Sequence, residues 1–273
     1  MSMPSGNPPK TVTSAQNARV KALRRALTQA ELVDGLCGVD SEHLVREAAK
    51  SGVEIDTLFV AESRYADAGR RELVLNDVDA GQVLVIPDAV LQSIISTEAS
   101  QGVAALVRAP QWELEHVLGQ QHAFVIVSTG IQDPGNLGTI IRSGEAFGAA
   151  ALVAMVGTVS HFNAKAMRAS AGSVFRLPVL GMRGASAEVV ETLRRYGFRL
   201  LAADSHRGAV ATQTDLRSKT AIFVGNEGAG VPRAVSEDVD GFVRVPHAST
   251  VESLNAGVAA SLLLYEAYRQ RMR

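Results

Sequence analysis

Three short segments of this 273-residue chain combine glycine with polar side chains that could position a substrate or a charge. The first, residues 128–138, leads towards Arg142, and the second, 225–232, holds Glu227 among three glycines. The third, residues 245–247 followed by 253–255, precedes a long helical pattern. Each follows an apolar stretch typical of a buried strand. Because ligands of open α/β sheets bind beyond the carboxyl ends of strands, the three segments are candidate parts of a ligand site.

Each polar residue also has a purely structural interpretation. Asn136 or Ser253 could be a helix N-cap, Arg142 could pair with Glu145 one turn along its helix, and Asn255 could bond to nearby backbone. The glycine-rich segment could be a tight turn. A turn has no need of a carboxylate, however, so Glu227 favours a functional interpretation.

The glycine pattern excludes the common phosphate-binding loops. Gly135 is followed by Asn136 where a P-loop needs lysine, and no GxGxxG motif occurs. Cys37 is the only cysteine, so an internal disulfide and a CxxC metal or redox site are excluded. We therefore expect no metal site. No uncharged apolar stretch of about 18 residues occurs, so we also expect no membrane span.

The elements that must position these segments form a regular α/β pattern after residue 121. It predicts a parallel α/β domain over residues 122–273 with these strands and helices: strands 123–127, 151–156, 199–203, 221–224 and 242–245, and helices 137–147, 187–196 and 254–269. In the last helix Leu254, Val258, Leu262 and Tyr265 share one apolar stripe.

The preceding part of the chain predicts a smaller α/β module over residues 31–110. It holds 14 acidic residues and six basic ones, a helix over 43–50 and strands over 57–60, 83–86 and 103–107. Residues 111–121 are interpreted as a polar linker. Residues 1–30 are basic, with a tail and a helix over 17–27 whose charged face carries Arg19, Lys21, Arg24 and Arg25.

The three segments together resemble the SpoU (TrmH-type) RNA ribose 2′-O-methyltransferases. The motifs D-P-x-N-x-G-x-x-x-R, G-x-E-x-x-G and strand-Pro followed by S-L-N occur in the family's order. Residues 42–48 and 101–104 are similar to the family's substrate-binding domain, of the ribosomal-protein L30e-like type, although Gly38-Val39-Asp40 departs from its usual Val-Glu-Gly.

The resemblance implies a SPOUT fold with a deep C-terminal trefoil knot and S-adenosylmethionine as cofactor. It implies a catalytic set and a set of mainly backbone cofactor contacts: Asn136, Arg142, Glu227, Ser253 and Asn255 for catalysis, and Leu201, Ala202, Gly225, Asn226, Val245, Pro246 and Leu254 for the cofactor. Gly144, His247 and Ala256 depart from the family's usual residues, but none removes a catalytic group. We therefore expect an active enzyme.

The resemblance also implies RNA as partner, with rRNA as the preferred substrate, in a cytoplasmic homodimer joined through the C-terminal domain. A tRNA methyltransferase and a non-catalytic RNA-binding protein of ribosome assembly are the alternatives. The formal net charge of −1 offers no general attraction for RNA, so contacts are expected from a local basic surface: Arg19, Lys21, Arg24 and Arg25 of the basic helix, with Arg142 and Arg168.

Overall fold

The computed structural model describes residues 9–67, 69, 80–95, 101–226 and 228–272. The chain divides into two compact units: Met1–Pro110 with Phe162–Phe175, and Gln111–His161 with Arg176–Arg273. In chain order the elements are β1 (Lys10–Thr11), α1 (Ala18–Gln29), β2 (Leu36–Val39), α2 (Glu42–Lys50), β3 (Ile55–Ala61), α3 (Glu62–Ala66), β4 (Ala80–Ile86), α4 (Asp88–Gln92), β5 (Val103–Arg108), α5 (Leu114–Leu118), β6 (Phe124–Thr129), α6 (Pro134–Ala146), β7 (Ala151–Met155), α7 (Ala164–Ser170), β8 (Val179–Met182), α8 (Ser186–Arg195), β9 (Arg199–Ala203), β10 (Ala209–Val210), β11 (Thr220–Gly225), α9 (Arg233–Ser236), β12 (Gly241–Arg244) and α10 (Ala256–Arg271).

The first unit is built on a mixed five-stranded sheet in the order β1-β4-β3-β5-β2. β1, β4 and β3 run parallel, and β5 is antiparallel to both of its neighbours. Strands β1 and β2 were not predicted. Strand β2 is hard to find because it has only four residues and is buried at every one, so it shows no alternation of apolar and polar side chains.

The basic helix is part of this unit's core. Asn17 caps α1 by accepting a hydrogen bond from the backbone N–H of Arg19 (2.9 Å). The apolar face, Val20, Leu23 and Leu27 with Ala26, is buried against the sheet. The structure therefore differs from the predicted separate tail and helix over residues 1–30, because the helix must cover an apolar sheet face; residues 1–8 lie outside the described residues.

The second unit is built on a seven-stranded, wholly parallel sheet in the order β10-β12-β9-β11-β6-β7-β8. The predicted parallel α/β class is confirmed, and the five predicted strands correspond to β6, β7, β9, β11 and β12. All six residues of β6 are buried, as expected for a central strand covered on both faces. Strands β8 and β10 lie at the sheet edges and were not predicted.

Two segments differ from their predicted places. Residues 111–121, predicted as a polar linker, contain α5, whose Val117 and Leu118 are buried in the core of the second unit. Residues 162–175, predicted within the 122–273 domain, belong to the first unit. The linker prediction was based on the polar composition of residues 111–121, but two buried side chains are enough to dock a short helix.

The C-terminal helix is buried on a different face from the one its apolar stripe suggested. Most of its buried residues are small; they are Ala256, Gly257, Ala260, Leu263, Leu264, Glu266 and Ala267. Val258, Leu262 and Tyr265 of the predicted stripe are exposed. Helices of small residues pack closely, and α10 packs against α6.

The end of α10 is tied to the segment that precedes β11. The Gln270 side chain accepts from the Leu216 N–H (2.9 Å) and donates to the Thr214 carbonyl (3.0 Å). The Arg271 guanidinium donates to the carbonyls of Leu216 and Ser218, both at 2.9 Å. These bonds satisfy backbone groups of an irregular segment and fix the end of the chain. None of the helices in the described part of the chain combines the length and apolar character that crossing a membrane requires.

Candidate active site

The first motif forms the N-terminus of α6. Asp133 is the N-cap, because its carboxylate accepts from the backbone N–H of Asn136 (2.9 Å), and Pro134 occupies the first turn, where its missing N–H costs nothing. The structural interpretation of Asn136 as the cap is therefore wrong. Its side chain is left to contact other elements.

That contact is with the third motif. The Asn255 side chain donates from Nδ2 to Asn136 Oδ1 (2.9 Å) and accepts at Oδ1 from the Val258 N–H (3.2 Å), which makes it the N-cap of α10. Ser253 is not that cap. A Cβ on Gly257 would lie 3.2 Å from Asn255 Oδ1 and 3.4 Å from the Asn136 Cα, so glycine permits this close approach of the two helix N-termini.

Arg142 lies on the exposed side of α6. Glu145, its expected partner, instead pairs with Arg176, whose Nη2 lies 3.1 Å from Glu145 Oε2. Within the described residues the Arg142 guanidinium makes no hydrogen bond or ion pair. The ion-pair interpretation of Arg142 is therefore wrong, and its five N–H donors face solvent.

A cavity of about 210 Å³ lies at the carboxyl ends of β9, β11 and β12. Four of the seven residues predicted to contact the cofactor line it, namely Gly225, Asn226, Val245 and Leu254, and so does Ser253, which was predicted as catalytic. Leu201 and Ala202 are buried within β9, and the next residues, Ala203 and Asp204, line the cavity in their place. Pro246 and Arg142 are exposed and outside the lining, and Asn136, which is half-buried, lies outside it too.

The glycine-rich second motif closes one side of the cavity. Asn226 and Gly230 form a β-bridge, with the Gly230 N–H donating to the Asn226 carbonyl (2.8 Å). A Cβ on Gly225 would lie 2.0 Å from the Gly230 carbonyl carbon, so the loop can fold back only over glycine. Glu227, predicted as catalytic, lies outside the described residues.

The sequence interpretation missed Asp204, Arg207 and Phe242, which also line the cavity. Burial raises the pKa of Asp204, but hydrogen bonds from the N–H groups of Arg207 and His206 and the Arg207 guanidinium outweigh it and hold that pKa below its usual value. The signal available in the sequence was the polar Asp-Ser-His-Arg-Gly run directly after a buried strand. His247, which departs from the family's usual residue, lines the cavity too, with Nδ1 3.0 Å from the Val245 carbonyl oxygen.

The cavity's chemistry fits S-adenosylmethionine. Apolar side chains such as Val224, Leu254 and Leu263 border it together with backbone at three strand ends. Its described lining offers a single arginine and no lysine, which suits a nucleoside carrying a zwitterionic side chain better than a nucleotide phosphate. Within the described ranges, no group of three or more His, Cys, Asp or Glu side chains is placed to hold a metal ion.

The remaining arginines and lysine predicted to bind RNA lie in the first unit, and most are engaged. Arg19 pairs with Asp56 (3.1 Å) and Arg25 with Glu31 (3.0 Å), while Arg24 donates to Ser93 (3.2 Å). Lys21 is exposed and has no partner among the described residues. These side chains lie on the solvent face of α1.

Arg168, also predicted to bind RNA, is engaged in an ion pair. Its guanidinium forms an ion pair with Asp40, which is buried. Burial raises the pKa of Asp40, and the Arg168 charge counters that effect. A buried carboxylate is costly unless it is paired, so Arg168 compensates the charge of Asp40. The Arg168 side chain is still 30% exposed, and its contact with an RNA phosphate stays a prediction.

Two known protein families match this chain. The SpoU rRNA Methylase family matches residues 123–265, and the family described as RNA 2'-O ribose methyltransferase substrate binding matches residues 42–113. Together the two matches span both predicted α/β modules.

Individual proteins agree with the family match. The chain is 33% identical to the 23S rRNA (guanosine(2553)-2'-O)-methyltransferase RlmP of Bacillus subtilis, over 94% of this chain and 98% of that protein. Among solved structures it is similar to the SpoU methyltransferase AviRb of Streptomyces viridochromogenes in complex with AdoMet, with 30% identity and a TM-score of 0.81 over 94% of this chain and 99% of that one. A crystal structure of an RNA 2'-O ribose methyltransferase gives 31% identity and a TM-score of 0.79, over 96% of this chain and 100% of that one. The chain therefore belongs to the SpoU family of RNA methyltransferases, enzymes that use S-adenosylmethionine to methylate the ribose 2′-hydroxyl of RNA.

Proposed function

We propose that this protein methylates a ribose 2′-hydroxyl of ribosomal RNA, with S-adenosylmethionine bound in the cavity at the ends of β9, β11 and β12. The main support is the hydrogen bond between Asn136 and Asn255, because it joins two separate motifs beside a cavity suited to this cofactor. The relative named as a 23S rRNA methyltransferase supports ribosomal RNA as the substrate class.

The cofactor supplies an electrophilic methyl group on its sulfonium, and the chain's own residues orient the hydroxyl. Asn136 and Asn255 hold each other and the N-termini of α6 and α10 in a fixed arrangement. Such fixed geometry lowers the entropic cost of bringing the reacting groups together. Ser253, in the cavity lining, and Glu227 are proposed to complete this set.

Arg142 is proposed to grip an RNA phosphate next to the reacting ribose. A guanidinium binds phosphate oxygens through two parallel hydrogen bonds and stays protonated in proteins, so a role as general base is disfavoured. The exposure of Arg142 and its lack of a partner among the described residues leave its donors available. Lys21 and the other basic residues of α1 are proposed as further RNA contacts.

We propose that the second unit carries the trefoil knot and that the first is an L30e-like substrate-binding domain. The knot is supported by the cavity, since four chain segments (203–207, 224–231, 242–247 and 253–263) converge on it after β9. The bonds of Gln270 and Arg271 to residues 214–218 hold the end of the chain against an earlier segment. The substrate-binding assignment is supported by the family match at residues 42–113.

The proposed assembly is a homodimer through α10. Four large apolar side chains on this helix and one at its C-cap are exposed: Val258, Leu262, Tyr265 and Tyr268, with Met272 at the cap. Their spacing places them on one face, and an apolar stripe of this kind on a folded protein marks an interaction surface. Phe147, the C-cap of α6, extends this surface, with its ring centroid 5.5 Å from that of Tyr265. We place the enzyme in the cytoplasm, where its RNA substrate and methyl donor occur together.

Incubation of the purified protein with radiolabelled S-adenosylmethionine and unmodified ribosomal RNA or tRNA tests the substrate and the reaction. Methylation of a 2′-hydroxyl blocks alkaline cleavage of the following phosphodiester, so a labelled dinucleotide should survive complete alkaline hydrolysis. Label released as a mononucleotide would indicate base methylation and contradict the proposal. Label on tRNA alone would assign the tRNA alternative, and absence of cofactor binding would favour a non-catalytic role.

A further inference from the structure

We propose that Arg207 binds the carboxylate of the methionine part of S-adenosylmethionine. This inference rests on the proposed placement of the cofactor in the cavity that Arg207 lines. It assigns a ligand to a residue on the short turn between β9 and β10.

The Arg207 side chain is held in place on two sides. Its Nε donates to Asp204 Oδ2 (2.9 Å), and its guanidinium carbon lies 4.1 Å from the centroid of the Phe242 ring. Cation–π contact and an ion pair together orient the planar guanidinium. Arg207 is therefore positioned before any ligand binds.

Asp204, which orients Arg207, is itself fixed by backbone. Its Oδ1 accepts from the N–H groups of His206 (2.9 Å) and Arg207 (2.7 Å). Together with the bond from Arg207 Nε, three donors serve this carboxylate. The turn thus uses up most of the hydrogen-bonding capacity of Asp204 and leaves the arginine's outer edge unused.

The two terminal nitrogens of Arg207 make no hydrogen bond within the part of the chain that the structure describes. They can present two parallel N–H groups to one carboxylate, the arrangement that gives arginine its preference for planar anions. S-Adenosylmethionine carries one anionic group, the carboxylate of its amino-acid part. Arg207 is the single arginine in the described lining, which contains no lysine. Opposite charge therefore favours contact between the Arg207 guanidinium and the carboxylate of the cofactor.

Calorimetric titration with two ligands tests this pairing. S-Adenosylhomocysteine carries the carboxylate, whereas 5′-methylthioadenosine keeps the nucleoside and thioether but lacks the amino-acid part. Arg207→Ala should weaken binding of the first about tenfold, the effect of losing one charge-assisted contact at a solvent-exposed rim. Binding of 5′-methylthioadenosine should change by less than about twofold, and Arg207→Lys should restore part of the lost affinity.

Arg217→Ala is the matched control, because Arg217 pairs with Asp215 in a similar short turn (3.1 Å) outside the cavity lining. It should leave both affinities unchanged. Equal weakening of both ligands by Arg207→Ala would show a general effect on the cavity and overturn the proposal. Unchanged affinity for S-adenosylhomocysteine with weaker RNA binding would assign Arg207 to an RNA phosphate and overturn it as well. Wild-type protein that binds neither small ligand would overturn the cofactor placement itself, and Arg207's role with it.

Discussion

Substitution of Asn255 tests the link between the first and third motifs. Asn255→Ala removes the N-cap of α10, worth about 1 kcal/mol, and the hydrogen bond to Asn136, worth about 1 kcal/mol. We therefore expect the free energy of unfolding to fall by about 2 kcal/mol in total. Because the bond joins α6 to α10 beside the cavity, methyl transfer should fall by about 10- to 100-fold.

Asn255→Ser separates the two contributions. Serine is a good N-cap but is too short to reach Asn136 Oδ1, so this variant should lose about 1 kcal/mol and as much activity as the alanine variant. Unfolding in denaturant, followed by the change in midpoint, measures the first quantity. Release of label from the methyl donor into RNA measures the second.

A double-mutant cycle completes the test. Asn136→Ala alone should cost about 1 kcal/mol, and adding it to Asn255→Ser should cost almost nothing further, because both changes remove the same bond. Additive losses in stability would show that the 2.9 Å contact contributes nothing. Equal stability of the Ala and Ser variants would refute the capping argument, and wild-type activity in Asn255→Ser would refute the role of the link in catalysis.

Three further predictions concern the phosphate grip, the dimer and pH. Arg142→Ala should abolish methyl transfer. The affinity for S-adenosylhomocysteine, measured by calorimetry, should stay within about twofold of wild type, because Arg142 lies outside the cavity lining. Near-normal turnover would remove Arg142 from the mechanism. Leu262→Glu should yield a monomer in sedimentation, because it puts a charge in the exposed apolar stripe of α10. The control Val156→Glu, at a residue outside that stripe that is 67% exposed, should leave the dimer intact. An unchanged dimer in Leu262→Glu would exclude α10 as the interface. Burial lowers the pKa of His161 to about 4, so the folded state binds fewer protons than the unfolded state below about pH 6.5. Stability from this residue should be complete above about pH 6.5 and decrease by about 3 kcal/mol towards pH 4. Denaturant unfolding of His161→Gln should lack that part of the pH dependence. Parallel pH profiles for wild type and variant would contradict the burial argument.

The catalytic motifs could be predicted from the sequence because each is short and sits next to a recognisable strand or helix. Buried strands such as β6 appear as continuous apolar runs, and polar residues at their ends therefore stand out. The parallel α/β class followed from the same runs. The predicted roles of Asn136, Arg142 and Asn255 remain proposals, although the structure joins the two asparagines.

Edge strands and short helices were missed for the opposite reason. β8 and β10 have four and two residues, and α5 has five, lengths at which no hydrophobic period can be recognised. The exposed face of α10 was interpreted as a simple apolar stripe, since spacing shows which residues share a face and not whether that face meets the core.

The sequence by itself determined the family, the parallel α/β architecture and the residue types at three strand ends, because these depend on local patterns and on motif order. Only the tertiary structure decided which side chains meet. It paired Arg168 with the buried Asp40, moved the cavity contacts from Leu201 and Ala202 to Ala203 and Asp204, and brought Asn136 to Asn255 across 119 positions of sequence. Contacts between distant residues depend on how the elements pack, and packing is set by the whole core at once.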